Sequence, residues 1–324
     1  MTPAATIVVP SYRHGAFIRR RIESILEQTR RDFELIVIDD CSQDDSDTII
    51  RALQAEHGFT YIRNERNSGS PFSAWEQAGA LAKGRYLWIC ESDDVAEPEF
   101  LEVGVSTLDA EPQAALFYCD SNVIDTTGTC VGHTDDFFHE IWKETRWDRS
   151  FVNDGAAELE AFQVRGQTVP NMSSALIRTS AFREAYRPFL KRLKLTGDWL
   201  FIGWVLQQGK VVYQKRTLNN FRRHDATSRA SVVSARSQAE FIITKCLLFS
   251  ASHRPTTELA SLLSTDAVRF LHERARWWEV VSALLRISPT ATFSAATRLA
   301  VSLVSNPRYI ERFRARRRMA SGGG

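Results

Sequence analysis

The sequence predicts an α/β fold: a doubly wound, mostly parallel sheet that gives way to a helical extension from residue 229. Three observations predict it. Short apolar runs recur, each bounded by turn or acidic residues, which is how strands buried on both faces read. Amphipathic helical stretches alternate with those runs, as helices covering a parallel sheet require. From residue 232 strand signals vanish, and apolar residues recur only at helical spacing, as in Phe241, Ile242, Cys246 and Leu247.

The first run, Thr6–Pro10, is a strand, and Ser11–Gly15 is the turn after it. Phe17, Ile18, Ile22, Ile25 and Leu26 then share one face of a helix, with Arg19, Arg20, Glu23 and Glu27 elsewhere. Phe33–Ile38 is a second strand that stops at Asp39 and Asp40, and Ser42–Ser46 caps a helix reaching about Glu56. Phe59–Ile62 is a strand and Arg63–Gly69 a polar loop. Pro71–Leu81 is a helix that Lys83 and Gly84 close by a glycine stop. Tyr86–Cys90 is a continuous apolar strand that ends abruptly in Glu91, Asp93 and Asp94. Pro98 begins the next helix, and Ala114–Tyr118 is a fifth strand. Residues 120–168 show no clear period. Ser174–Ile177 reads as a strand and Ala181–Leu190 as helical. Thr196 reads as the cap of a helix running to about Gln207. Val211–Tyr213 is a strand, and Asn219–Ser228 reads as a polar loop.

Right-handed crossovers gather the loops after parallel strands along one rim, where open α/β sheets bind their ligands. Pro10–Ser11, Asp39–Asp40, Asn64–Gly69 and Glu91–Asp94 all fall there. Glu91, Asp93 and Asp94 repel one another unless a cation sits among them. A divalent ion carrying a phosphate answers that need; the bland alternative is a solvated acidic loop. Neither GxGxxG nor a P-loop pattern is present, so neither a dinucleotide fold nor a P-loop is supported.

Composition narrows the class. The 324 residues are 44% hydrophobic and 25% charged, as in soluble globular proteins. A net charge of +2 gives no global field toward nucleic acid. The five cysteines show no CxxC spacing, so neither zinc nor a disulfide framework is indicated, and a reducing cytoplasm fits. The start of the chain lacks the pattern of a signal peptide. No stretch reaches the roughly 18–20 uncharged apolar residues of a membrane span. Arg308–Arg318 holds six arginines among Tyr309, Ile310 and Phe313. Basic amphipathic ends of this kind sit peripherally on the inner face of anionic membranes or on a partner, against the alternative of a solvated terminus.

Five segments in order then carry a resemblance: Val8–Tyr12, Glu34–Asp45, Asn64 with Asn67 and Gly69, Ala80 with Gly84 and Tyr86, and Glu91–Asp94. They resemble glycosyltransferase family 2, whose members have the GT-A fold, a Rossmann-like doubly wound mixed sheet that is mostly parallel. Gly197-Asp198-Trp199 followed by Gly209 resembles the family's acid-bearing helix, and Arg222–His224 its basic–histidine element. The likeness covers residues 6–228. It implies a nucleotide-sugar-binding half over residues 1–118 and an acceptor-binding half over residues 119–228. Residues 229–324 are then a helical C-terminal extension with a basic tail.

The resemblance also implies roles. The donor is a nucleotide-diphosphate sugar. Asp40, with Asp39, accepts the imide N–H of the base, and Pro10, Ser11 and Tyr12 line the base pocket. Asn67 belongs to the same donor site. Asp93 holds the ribose or the metal, and Asp94 meets Mg²⁺ or Mn²⁺ bridging the diphosphate. His224 is a third metal ligand or a diphosphate contact, and Arg222 is a phosphate partner. Asp198 takes the proton of the acceptor hydroxyl in a single inverting displacement. The acceptor is a saccharide or a lipid-linked saccharide. Trp142, Trp147 and Trp199 are candidates to stack on sugars; Trp204, about one turn after Trp199–Phe201, reads as core rather than as a further such candidate. Two positions depart from the family pattern: Glu91 stands where aspartate is common, and Gly197 where a second acid usually precedes Asp198. Two other classes compete. A sugar-phosphate nucleotidyltransferase would carry a glycine-rich loop where Pro10–Gly15 stands. A catalytically silent nucleotide-sugar-binding module would be expected to have lost Asp94 or Asp198.

Overall fold

The computed structural model describes residues 2–224, 234–255, 258–259, 277–290, 292–293 and 297. The first half alternates strictly. β1 (Ala5–Ser11) leads to α1 (Gly15–Leu26), β2 (Phe33–Asp39) to α2 (Ser46–His57), β3 (Thr60–Arg63) to α3 (Pro71–Leu81), and β4 (Tyr86–Ile89) through the short β5 (Val95–Ala96) to α4 (Phe100–Ala110). The second half holds β6 (Ala114–Ile124), β7 (Cys130–His133), α5 (Thr134–Trp142), β8 (Phe151–Asn153) and α6 (Gly155–Glu158). After these come β9 (Ala175–Arg178), α7 (Thr179–Ala185), α8 (Gly197–Leu206), β10 (Lys210–Arg222), α9 (Ala235–Ala251) and a further helix, Trp277–Ile287.

One sheet collects the strands in the order β3-β2-β1-β4-β9-β6-β10-β5, with β7 beside β6 and β8 beside β10. β3, β2, β1 and β4 run parallel, as do β6 and β10. β9 runs antiparallel between β4 and β6 and joins the two halves. Alternate residues of β1 serve opposite faces, as strand geometry dictates. Ile7 and Val9 pack with Ile18, Ile22 and Ile50 beneath α1 and α2. Val8 packs with Trp75, Phe182 and Phe201 on the other face. Ala239, Ile243 and Leu248 of α9 belong to that second core, with Val280 and Ile287.

Several expectations change. The helix expected from Pro98 begins at Phe100. Gly84 is not a left-handed helix stop. A Cβ there would lie 2.4 Å from the backbone of Ala5 and Thr6, so the chain needs glycine for close approach to β1. The stretch without period is ordered by aromatic packing: Phe138 stacks on Trp147 at 4.4 Å, and Trp142 lies 5.9 Å from Trp147. Trp142, Trp147 and Trp199 are buried and Trp204 packs partly buried against the same core, so all four work in packing. Asn219–Arg222, read as loop, is the end of β10. Its polar side chains pair across the sheet, with Asn219 on Ser121 at 3.1 Å and Asn220 accepting from Asn122 at 2.8 Å. Thr196 makes no side-chain cap for α8.

Candidate active site

The rim of β1, β4 and β10 opens on a cavity of ≈ 210 Å³. Its polar lining comprises His14, Glu91, Asp93, Asn171, Lys194, Asp198 and His224, and Phe72, Trp75 and Met172 give it an apolar floor. Each charged residue arrives by topology. β4 pairs with β1, and the Cys90 N–H donates to the Val8 carbonyl at 2.8 Å, so the acidic motif emerges beside the turn that carries His14. The Glu91 N–H donates to Ser173 Oγ at 3.0 Å. β10 pairs with β5 immediately after the motif, which delivers His224 to Asp93.

Asp93 and Asp94 face different partners across a tight turn, closed by the Asp94 N–H donating to the Glu91 carbonyl at 3.3 Å. His224 Nε2 lies 3.0 Å from Asp93 Oδ2. His14 Nδ1 shares a hydrogen bond with Ser92 Oγ at 2.7 Å, and the His14 and His224 rings are 5.8 Å apart. Ligand atoms of His14, Asp93 and His224 all lie within 4.8 Å of one another. Asp94 is buried with both oxygens engaged: Oδ1 accepts the Arg222 N–H at 2.8 Å and Oδ2 the Asn171 amide at 2.9 Å. Arg222 does not reach the cavity either. Its guanidinium donates to the carbonyls of Asp93 and Asp125 and lies over Phe17. Asp94 and Arg222 thus lock the motif to β10, and the cluster suited to a cation is His14, Asp93 and His224.

The donor-base candidates share the rim but do not line this cavity. Pro10 and Ser11 end β1, with Ser11 in register with Asp39, and Tyr12 is exposed. Asp39 is fully buried, accepts from Ser42 and pairs with Arg63 at 3.3 Å. Asp40 accepts from Asn64 at 2.7 Å and from the N–H and hydroxyl of Ser68. Asn67 donates to the Asp40 carbonyl and accepts the Gly69 N–H. Together they shape the loop between β3 and α3.

Asp198 opens α8 and lines the same cavity, and the Gln167 amide donates to its Oδ2 at 3.0 Å. Gly197 before it has a steric cause: a Cβ there would stand 2.3 Å from the Phe72 ring. Burial, then the charges of Asp93, Asp94 and Asp198, push the Glu91 carboxyl up to about 8. Burial raises Asp94 as well, with Asp93 adding to it. The Arg21 guanidinium opposes both shifts; it is fully buried and lies 5.5 Å over the Trp88 ring. Burial holds His14 below the usual imidazole range, which favours the neutral, metal-ligating form. Two imidazoles and one carboxylate fit a divalent ion, and they suit Mn²⁺ better than Mg²⁺, which prefers oxygen donors. Sequence reasoning missed His14, Lys194 and Leu195. Counting histidines as well as acids on the rim picks out the first; no local signal marks the other two.

Residues 6–156 match the family described as Glycosyl transferase family 2. The chain is 31% identical over 102 residues to the glycosyltransferase GlyG of Streptococcus pneumoniae serotype 4, covering 32% of this chain and 34% of that protein. It is 30% identical over 131 residues to a chondroitin synthase of Escherichia coli, covering 40% of this chain and 19% of the synthase. The chain therefore spans about a third or less of the length of these two relatives. Among solved structures, S. aureus TarS 1-349 in complex with UDP-GlcNAc superposes with a TM-score of 0.64 at 16% identity, over 92% of this chain and 88% of that one. The mannosyltransferase PcManGT of Pyrobaculum calidifontis, in complex with GDP-Man and Mn²⁺, gives 0.54 at 16% identity, over 94% and 76%. The match to glycosyltransferase family 2 covers residues 6–156, a little under half of the chain, and the superpositions give the chain the GT-A fold.

Proposed function

We propose that this chain is a metal-dependent, inverting glycosyltransferase. It moves a sugar from a nucleotide-diphosphate donor to a hydroxyl of a saccharide or lipid-linked saccharide, in the synthesis of a cell-surface polysaccharide or glycoconjugate. One observation carries the reading: His14, Asp93 and His224 converge on one wall of the cavity that Asp198 lines. Relatives include chondroitin synthases, and the two superposed structures hold UDP-GlcNAc and GDP-Man, which supports an activated sugar as donor.

His14, Asp93 and His224 would hold the cation. When bound, it neutralises the charge that grows on a departing diphosphate. Asp198 accepts the proton of the acceptor hydroxyl, and the Gln167 amide fixes the orientation of its carboxylate. Asn171, Ser173 and Arg222 hold the acidic motif in place behind the reacting groups. Phe72, Trp75 and Met172 exclude water from the floor. Among the described residues no helix is long and apolar enough to cross a membrane. We place the activity in the cytoplasm, where thiols stay reduced. The basic end proposed to touch the membrane, Arg308–Arg318, lies outside the described residues.

Calorimetry with UDP and GDP, each with and without Mn²⁺, tests the donor side. A screen of UDP- and GDP-sugars for Mn²⁺-dependent hydrolysis then identifies the donor. Binding of either nucleotide that strengthens at least tenfold with Mn²⁺ is the expected result. Nucleotide affinity indifferent to Mn²⁺, together with no sugar released from any donor, overturns the proposal.

A further inference from the structure

The chain just before Asp198 is held from outside. Leu193–Thr196 joins a turn of 3₁₀ helix, Pro188–Arg192, to α8, and Lys194 and Leu195 form part of the cavity wall. A connecting segment of this kind has backbone donors and no ladder to receive them. Here one side chain of α9 receives two. Glu240 Oε2 accepts the N–H of Lys194 at 2.8 Å and of Leu195 at 2.7 Å. Its other oxygen accepts from Arg236 Nε at 3.0 Å, and Arg236 also donates to the Arg192 carbonyl at 2.8 Å. One turn further along α9, the hydroxyls of Thr244 and Thr196 share a hydrogen bond of 2.7 Å. Glu240 and Thr244 are both fully buried.

A carboxylate buried in a helix is costly unless it is fully hydrogen-bonded, and an apolar residue would serve packing alone. The bonds of Glu240 and Arg236 converge on Arg192–Leu195, and the Thr244 hydroxyl holds the residue before Gly197 and Asp198. The Lys194 ammonium also donates to the Gly69 carbonyl, in the loop that Asp40 shapes.

We propose that Glu240 and Thr244 are positioning residues for the acceptor side of the site. They fix Lys194 and Leu195 and, through Thr196, the first turn of α8 that presents Asp198. The proposal rests on the glycosyltransferase reading. It gives α9 a part in the reaction beyond burial of the sheet.

The test uses the full chain and the variants Glu240→Ala, Glu240→Gln and Thr244→Val. Hydrogen exchange reads the amides of Lys194 and Leu195. Calorimetry with UDP or GDP plus Mn²⁺ reads the donor side, and transfer from whichever nucleotide sugar proves active reads kcat. In Glu240→Ala, exchange at both amides should rise at least tenfold. Its kcat should fall about 10- to 100-fold, the scale of a small misplacement of reacting groups, while nucleotide Kd stays within about twofold. Glu240→Gln should recover most of the loss, because its amide oxygen still accepts both N–H groups. Equal loss of kcat and nucleotide affinity, or fast exchange with undiminished kcat, overturns the proposal. If Glu240→Ala does not fold, Thr244→Val decides: a lower kcat at unchanged nucleotide Kd supports it, and an unchanged kcat overturns it. If the wild type transfers no sugar, the functional reading fails separately. The exchange arm then still reads the pin: lost protection in Glu240→Ala supports it, and retained protection overturns it.

Discussion

Replacing Glu91 by glutamine should flatten the pH dependence of the metal-free protein's stability. Glu91 stands on the cavity wall with its carboxyl pushed up to about 8, first by burial and then by Asp93, Asp94 and Asp198. An unfolded glutamate titrates near 4.3. Between those two values the folded chain holds a proton that the unfolded chain has released. Stability therefore falls as pH rises through that window. This sign is opposite to that of a salt-bridged carboxylate. His14, held low by burial, contributes the other sign near its own window, but it does so in both proteins and drops out of the comparison. Each pKa unit is worth about 1.4 kcal/mol. Allowing for relaxation and water entry, the Glu91 contribution is on the order of 2–3 kcal/mol between about pH 5 and 8.

Glutamine cannot ionise and mimics the protonated acid. Glu91→Gln should match the wild type near pH 5 and exceed it by about 2–3 kcal/mol near pH 8. Urea unfolding in chelator at several pH values measures this directly. Saturating Mn²⁺ should close the gap, because a cation beside Glu91 favours its ionised form. Parallel stability curves for the two proteins without metal would refute the burial argument.

Three further outcomes are expected. Asp93→Ala should weaken Mn²⁺ binding at least tenfold by calorimetry, since it removes the carboxylate from the cluster with His14 and His224. Asp198→Asn should lower transfer by about 100-fold or more while nucleotide Kd with Mn²⁺ stays within about twofold; turnover near the wild-type rate excludes it as the base. Gly84→Ala should cost about 2–3 kcal/mol in urea unfolding, because its methyl meets the backbone of β1 at 2.4 Å, and a loss below about 1 kcal/mol would show that β1 yields.

The first half of the fold was readable because its central strands, β1 and β4, are short, apolar and covered on both faces. β4 is buried at every position, and β1 likewise, so each shows as an uninterrupted run. β10 was half-readable. Val211, Val212 and Tyr213 announce a strand, but Asn219 and Asn220 look like loop because their partners are polar groups of β6 far away in sequence. Strand direction left no trace either: Ala175–Arg178 has the same apolar character whether it runs parallel or, as it does, antiparallel between β4 and β6. The contribution of α9 was hidden for a related reason. Glu240 and Thr244 lie 45 and 48 residues beyond the chain positions they hold, Leu195 and Thr196.

The site divides along the same line. That acids would crowd one rim follows from strand ends and right-handed crossovers, and the sequence displays both. Which acid faces the cavity does not follow, because Asp93 and Asp94 sit at a turn whose direction residues far away in the sequence set. The choice is made by β10. Its Arg222 N–H takes Asp94 at 2.8 Å, and its continuation places His224 3.0 Å from Asp93. Asp94 is thereby tied to both β10 and Asn171, so its removal would disturb Asp93, His224 and Asn171 together. Loss of activity on changing Asp94 is therefore expected whether or not that carboxylate ever touches a cation. Only cation affinity measured on Asp93, His14 and His224, one at a time, distinguishes the residues that bind from the residue that holds them in place.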